Sequence, residues 1–349
     1  MRAGPVLLSA CLATATVFIL AVPDWQRPLP SHEIGYRALA MDYFEAQGLG
    51  DGALDHLPDP VPAGEPDARP ANEAFHNVQV LTELDAGQFL RLQRAMTAWV
   101  APQQGCGFCH TGTDYASDDN PRKQAARTML RMTRRVNADW QDHVGATGVT
   151  CYSCHRGQPV PPEVWRPLPP QHPVAQVASQ EHWNETARSV RDFFPDAGWS
   201  EYLLQETPGL VQARTSLSPA GVGSQIETKR LYEMMMQMSD GIGVGCVYCH
   251  NSRAFTDWSQ STPARWTGYS GIRLTRTLNQ DYLLPLAQTL PQLRDGPAVP
   301  LGPNMPARPD RWLVGNGLVV CATCHAGLPK PLHGADLLAD YPGLRGAPH

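Results

Sequence analysis

Residues 126–161 read ARTMLRMTRRVNADWQDHVGATGVTCYSCHRGQPVP. Two signals meet in this stretch. Arg122–Val144 sets Met129, Met132, Val136, Trp140 and Val144 on one face at helical spacing. The run then enters Cys151-Tyr-Ser-Cys154-His155, and C-x-x-C-H is the attachment signature of c-type haem. Its two thiols lie about one turn apart and reach the two vinyl groups as thioethers. The adjacent histidine then sits under the iron as proximal ligand.

The motif recurs as Cys106-Gly-Phe-Cys109-His110, Cys246-Val-Tyr-Cys249-His250 and Cys321-Ala-Thr-Cys324-His325. Zinc clusters or redox-active pairs would account for the cysteines, but not for a histidine after every second one. The expectation is four covalent haem c groups on those eight cysteines, with His110, His155, His250 and His325 as proximal iron ligands. Eight of the nine cysteines are then used and no disulfide is expected. Haem attachment takes place on the exported side of the membrane, so the body is expected there.

Working outward, Asp85–Val100, Ile226–Ser239 and Leu274–Leu290 also read as helices, and no long alternating pattern is present. The fold class is mainly α and loop-rich, with Pro-rich stretches at 158–173 and 296–309. A helix precedes the first motif and a longer one the second, and the same order returns before the third and fourth. A duplicated two-haem unit, about 75–165 and 220–330, is the simplest description. Residues 24–74 read as an extended tether with one short helix near His32–Gln47, and 75–349 as the tetrahaem domain.

Gly4–Pro23 carries no charge, long enough for one membrane helix. With Arg2 before it, the N-terminus is placed in the cytoplasm and the body in the periplasm. A retained signal anchor over residues 1–23 is the favoured reading. The alternatives are a cleaved signal, or a lipoprotein box at Leu8–Cys11 that leaves Cys11 lipidated. The net charge of −5 over 349 residues makes no case for a nucleic-acid partner.

The sixth iron ligand separates a carrier from an enzyme, because an open position invites chemistry. A Met on the helix leading into a motif can fold back over a haem. Met129 and Met132 precede the second motif, and Met234, Met235, Met236 and Met238 precede the third. Most of these are packing residues, with one ligand expected per haem. Between His250 and Asn304 there is neither Met nor His, and Met305 lies in a Pro-flanked loop. His143 is therefore the candidate for the fourth haem. It lies 14 residues after Met129, about 21 Å along a continuous helix, so one helix could serve two haems.

Three segments carry a family resemblance: 89–110 (FLRLQRAMTAWVAPQQGCGFCH), 126–161, and 234–255 (MMMQMSDGIGVGCVYCHNSRAF). Across residues 75–330 the chain resembles the tetrahaem cytochrome subunit of purple-bacterial photosynthetic reaction centres. The resemblance implies an electron carrier, not an enzyme, capping the periplasmic face of the L, M and H subunits within the light-harvesting ring. It would take electrons from a soluble c-type cytochrome or high-potential iron–sulfur protein and re-reduce the bacteriochlorophyll special pair. It implies a haem order of first, second, fourth, third, with the third nearest the special pair. It places distal ligands on Met129 (second haem), Met235 (third) and His143 (fourth), as helix geometry suggests for His143. At the first haem the family's Met position is Gln93. Met96, one turn on, is the leading candidate there and Gln93 the alternative. Phe193, Phe194, Trp199 and Tyr202 are candidates for an aromatic bridge to the special pair. Arg156 and Arg253 could pair with propionates or tune potentials. His32, His56, His76, His172, His182 and His333 are expected to be surface or packing groups. A multihaem oxidoreductase with an open first haem, and a quinol-oxidising cytochrome, are the competing readings. The second fits poorly, since it would rely on distal histidines.

Overall fold

The computed structural model describes residues 31–34, 41–44, 57–64, 66–165, 197–214, 220–289 and 317–346. The expected anchor at 1–23, Cys11, Phe193 and Phe194, Met305 and the linker at 296–309 lie outside them. Among the described residues no helix is long and apolar enough to cross a membrane.

The elements are two short strands and a set of helices: β1 (Ser31–Ile34), β2 (Met41–Phe44), α1 (Ala86–Val100), α2 (Pro121–Asp139), α3 (Gln141–Val144), α4 (Cys151–His155), α5 (Gln225–Ile242), α6 (Pro263–Leu278), α7 (Leu284–Thr289) and α8 (Cys321–His325). The body is helical and loop-rich, as the sequence predicts. The short helix expected near His32–Gln47 is instead an antiparallel pair, with Ser31 opposite Phe44 and Ile34 opposite Met41. Gly35 weakens a helix there, while Ile34, Tyr43 and Phe44 suit a pleated backbone.

Each long helix starts on local chemistry. Asp85 accepts from the Gln88 amide at 2.7 Å, and Ser224 and Glu227 cap each other reciprocally at the head of α5. α2 and α6 both open with proline at the first helical position, behind Asn120 and Thr262. Two of the expected helices differ. α6 begins well before Leu274, because Thr262-Pro263 is a start signal that outranks the apolar periodicity. It then passes through a π-helical turn, Asn279–Leu283, into α7. The helix expected over Arg122–Val144 breaks at Trp140 (φ −119°, ψ 34°). The continuous rise from Met129 to His143 therefore does not exist, and His143 sits on the separate turn α3. One turn before the break, the Asn137 side chain donates to the Val149 and Leu344 carbonyls at 2.9 and 2.8 Å.

Three clusters form the core. One joins Leu81, Leu92, Trp99 and Leu130 to Leu338, Tyr341 and Leu344 from the far end of the chain. Trp99 and Tyr341 meet edge to face, with centroids 4.8 Å apart. A second holds Trp165, Trp199, Tyr202, Leu203, Met234, Leu283 and Leu318. A third, Val136 with Leu274 and Leu278, joins α2 to α6. Removing one such buried leucine costs about 2–5 kcal/mol.

A set of hydrogen bonds recurs in two parts of the chain. Asn120 Nδ2 donates to the Phe108 carbonyl at 3.1 Å, and Thr262 Oγ1 to the Tyr248 carbonyl at 2.6 Å. Thr133 and Thr275 hydroxyls bond back to the Met129 and Gly271 carbonyls at 2.9 and 2.8 Å. Asn137 exchanges bonds with Val149, and Asn279 with Val319. The Gly157 amide donates to the Trp99 carbonyl at 2.8 Å, and the Gly327 amide to the Gly241 carbonyl at 2.9 Å. The two threonine bonds lie within their helices; each of the others ties a long helix to a C-x-x-C-H segment or to the residues flanking one.

A cavity ringed by C-x-x-C-H motifs

Two motifs are α-helical and two are not. In α4 the Thr150 amide donates to Ser153 Oγ at 3.0 Å, and in α8 the Val320 amide donates to Thr323 Oγ1 at 3.0 Å. Both helices end in a left-handed residue, Arg156 or Ala326, each at φ 50°. That turn brings His155 Nδ1 to the Gln158 carbonyl at 2.9 Å and His325 Nδ1 to the Leu328 carbonyl at 2.8 Å. The first and third motifs form 3-10 turns, Gly105–Phe108 and Cys246–Tyr248. His250 Nδ1 bonds the Phe255 carbonyl at 2.9 Å, and the Phe255 ring stacks on His250 with centroids 4.3 Å apart. His110 lies against the Tyr115 ring at 5.0 Å. With Nδ1 engaged by a carbonyl, each of His155, His250 and His325 keeps Nε2 free for a metal.

Burial lowers the pKa of all four motif histidines. His325 is pushed down to about 4, with the charges of His143 and Arg156 acting in the same direction. It is neutral at physiological pH, the form that coordinates iron. Burial likewise raises the Cys151 thiol to about 12 and Cys249 and Cys321 to about 11, so these are thiols at neutral pH.

One cavity of about 1390 Å³ is lined by residues of all four motifs: Cys106, Cys109 and His110; Cys151, Cys154 and His155; Cys249; and Cys321, Cys324 and His325. It exceeds the roughly 300–1,000 Å³ that houses one small ligand. Its wall also carries Met96, Gln93, Met129 and His143. Met235 is half-buried on α5, and Met238, one turn further, is the α5 methionine that reaches this cavity. His76 is exposed, as expected of a surface group, and also lines the cavity.

The side chain furthest from its motif in sequence is the best placed in space. His143 stands opposite His325, with ring centroids 5.9 Å apart. An iron bonded to two imidazoles at about 2 Å each sets their centres about 6 Å apart, so the pair fits a bis-histidine haem. His143 Nδ1 meets the Thr267 carbonyl of α6 at 2.9 Å. Its ring rests on Gly271, where an added Cβ would come within 2.5 Å of Cε1. Asp142 accepts from Ser270 Oγ at 2.6 Å and locks the same turn to α6.

Several features escape the sequence reading. The α4 and α8 helices pack back to back, and Cys154 and Cys324 form a disulfide, with Cα atoms 4.4 Å apart. The sequence predicts no disulfide because haem attachment uses eight of the nine cysteines, and spacing along the chain does not reveal that these two motif helices meet. Gly271, Asn137 and Asn279 carry no motif, and only their repeated spacing from other residues could have flagged them. Trp199 and Tyr202, candidates for an aromatic bridge, are buried against Trp165 and Met234 in the second core cluster. Arg156 Nη2 donates to the Cys324 carbonyl at 3.0 Å, between the second and fourth motifs.

Comparison with known proteins bears on what fills this cavity. The sequence pattern of the photosynthetic reaction centre cytochrome C subunit matches residues 26–345. The chain is 36% identical to the photosynthetic reaction center cytochrome c subunit of Thermochromatium tepidum, over 97% of this chain and 80% of that one. It is 35% identical to the subunit of Rubrivivax gelatinosus, over 98% and 91%, and 35% identical to that of Roseobacter denitrificans, over 78% and 73%. With C-x-x-C-H segments around one cavity and these relatives along nearly its whole length, the chain belongs to the family of photosynthetic reaction centre cytochrome c subunits, carriers of covalent haem c.

Proposed function

We propose that this chain re-reduces the photo-oxidised bacteriochlorophyll special pair, drawing electrons from a soluble periplasmic c-type cytochrome or high-potential iron–sulfur protein. The observation that carries this reading is the continuous cavity lined by residues of all four motifs. Four haem c groups, when bound, supply one-electron cycling between ferric and ferrous iron. The protein's part is to hold them close, exclude water and set their potentials.

In this reading Cys106, Cys109, Cys151, Cys154, Cys246, Cys249, Cys321 and Cys324 hold the haems as thioethers. Cys154 and Cys324 are then thioethers in place of the disulfide, since one sulfur cannot be in both. His110, His155, His250 and His325 are proximal ligands, with Met129, Met235 and His143 distal for the second, third and fourth haems. Thioether ligation favours ferrous iron and two imidazoles disfavour it, so the fourth haem is the low-potential member. For the first haem Met96 remains the thioether candidate. The repeated bonds at Trp99 and Gly241 set Gln93 as the counterpart of Met235, and Met96 as that of Met238. Gln93→Met then raises the potential of one haem in a redox titration. An unchanged titration removes Gln93 as the ligand position.

The paired hydrogen bonds support a duplicated two-haem unit. Residues 1–23 would anchor it in the photosynthetic inner membrane, with the haem domain in the periplasm beside the L, M and H subunits and the light-harvesting ring. A saturating flash given to membranes containing the subunit oxidises haem within the complex. Flashes that leave every haem reduced overturn the assignment. The competing oxidoreductase needs an open haem, and stoichiometric carbon monoxide binding by the reduced protein would revive it.

A further inference from the structure

The two sets of hydrogen bonds align α2 with α6 residue by residue. One constant interval separates Pro121 from Pro263, Thr133 from Thr275 and Asn137 from Asn279. The same interval carries Met129 to Gly271. Both residues lie four before a threonine whose hydroxyl bonds back to their own carbonyl. Both line the cavity. They are the same structural position, occupied by a thioether in one half and by a hydrogen in the other.

The space left by the missing side chain is filled. The His143 ring lies where a Cβ on Gly271 would be, with Cε1, Nδ1 and Nε2 at 2.5, 3.0 and 3.2 Å from that point. The ring is held there by the Thr267 carbonyl and by the Ser270–Asp142 bond, both from α6. We propose that Gly271 determines the ligation of the fourth haem: its lack of a side chain admits His143 from the other half, in the place where the repeat would set a methionine. Gly271 is a positioning residue, acting through His143. The inference rests on the reading of His143 and His325 as the axial pair.

The test uses the full chain in reaction-centre membranes, read by low-temperature spin resonance, near-infrared spectra and redox titration. In Gly271→Met the added side chain displaces the imidazole. One haem loses its bis-histidine signature, gains the sulfur-to-iron charge-transfer band of His–Met ligation, and moves from the low- to the high-potential group. A merely structural glycine would change stability without changing the ligand set. Gly271→Met that keeps the wild-type bis-histidine spectrum overturns the inference. If that variant fails to fold, Gly271→Met with His143→Ala removes the clash. His–Met ligation in the double variant supports the proposal, and a five-coordinate, carbon monoxide-binding haem overturns it. His143→Ala alone tests the reading beneath: if all bis-histidine signal survives it, the axial pair is wrong, whatever Gly271 does.

Discussion

The second and fourth motifs differ from the first and third in how the chain closes around them. α4 and α8 are helices with internal caps, buried Ser153 and Thr323, and their second cysteines in contact. The first and third motifs are single turns whose histidines lie against Tyr115 and Phe255, 59% and 46% exposed. Near the third, Trp258 packs on Trp266 with centroids 4.6 Å apart, and the Arg265 guanidinium lies 4.0 Å over the Trp258 ring. One pair of motifs is framework, the other is edge. The difference teaches that four identical signatures are placed in two physical settings by the backbone that follows each histidine. A left-handed residue and glycine turn the chain inward after His155 and His325. After His110 and His250 a longer loop leaves an aromatic ring beside the histidine instead.

The strongest way to break this contrast is to delete attachment. Replacing Cys321 and Cys324 with alanine removes the attachment point on α8, the helix that packs against both α5 and α6. Global stability should collapse and the remaining haems should attach poorly, as haem content and thermal unfolding would report. The same change at Cys246 and Cys249 should leave a folded protein with one haem fewer. Equal losses from both pairs would end the distinction. Next in size are Asn137→Ala and Asn279→Ala. Each strands buried backbone partners and should cost about 1–3 kcal/mol in denaturant unfolding. If the halves are equivalent the two costs are similar, and a several-fold disparity says they are not.

Arg156→Gln probes the framework electrostatically. Burial lowers the Arg156 pKa, yet the group remains a cation beside the fourth motif. In the four-haem reading proposed above, its loss should lower the potentials at the second and fourth motifs by about 40 mV, roughly 1 kcal/mol for one electron, and spare those at the first and third. A uniform shift of all four would contradict that placement. The smallest effect is expected at the edge. Asp118 receives Arg127 at 2.9 Å, Asn77 at 3.0 Å and Lys123 at 3.3 Å, and the Arg127 hydrogen bond leads in holding its carboxyl down to about 2. Its folded pKa lies below the unfolded one of 3.8, so its contribution is complete above about pH 4 and is lost as pH falls towards 2. Asp118→Asn should cost about 0.5 kcal/mol at neutral pH and flatten the acid limb of the stability curve, with no effect on haem potentials.

Much of this was legible in the sequence, for local reasons. The attachment motifs, α1, α5 and the start of α2 follow from spacing and capping alone. His143 is readable as a candidate because the stretch before the fourth motif has neither Met nor His between His250 and Asn304, although the helix that carries Met129 breaks at Trp140 before reaching it. What could not be read was long-range. No periodicity shows that α4 and α8 meet, that Asn137 bonds the chain before the second motif, or that a glycine at 271 lies against a ring from residue 143.

The closing segment has a kinetic consequence. Tyr341 OH accepts from the Val61 amide 280 residues away, Arg91 bonds the Asp340 carbonyl across 249, and Asn137 the Leu344 carbonyl across 207. Contacts of such separation pay loop-closure entropy before they return any stabilisation, so they form late. By that argument the wall around the first two motifs is completed when residues 338–344 dock, after the more local packing of Leu81, Leu92, Trp99 and Leu130. Folding around the first two motifs should therefore slow as the chain between them and residues 338–344 is lengthened.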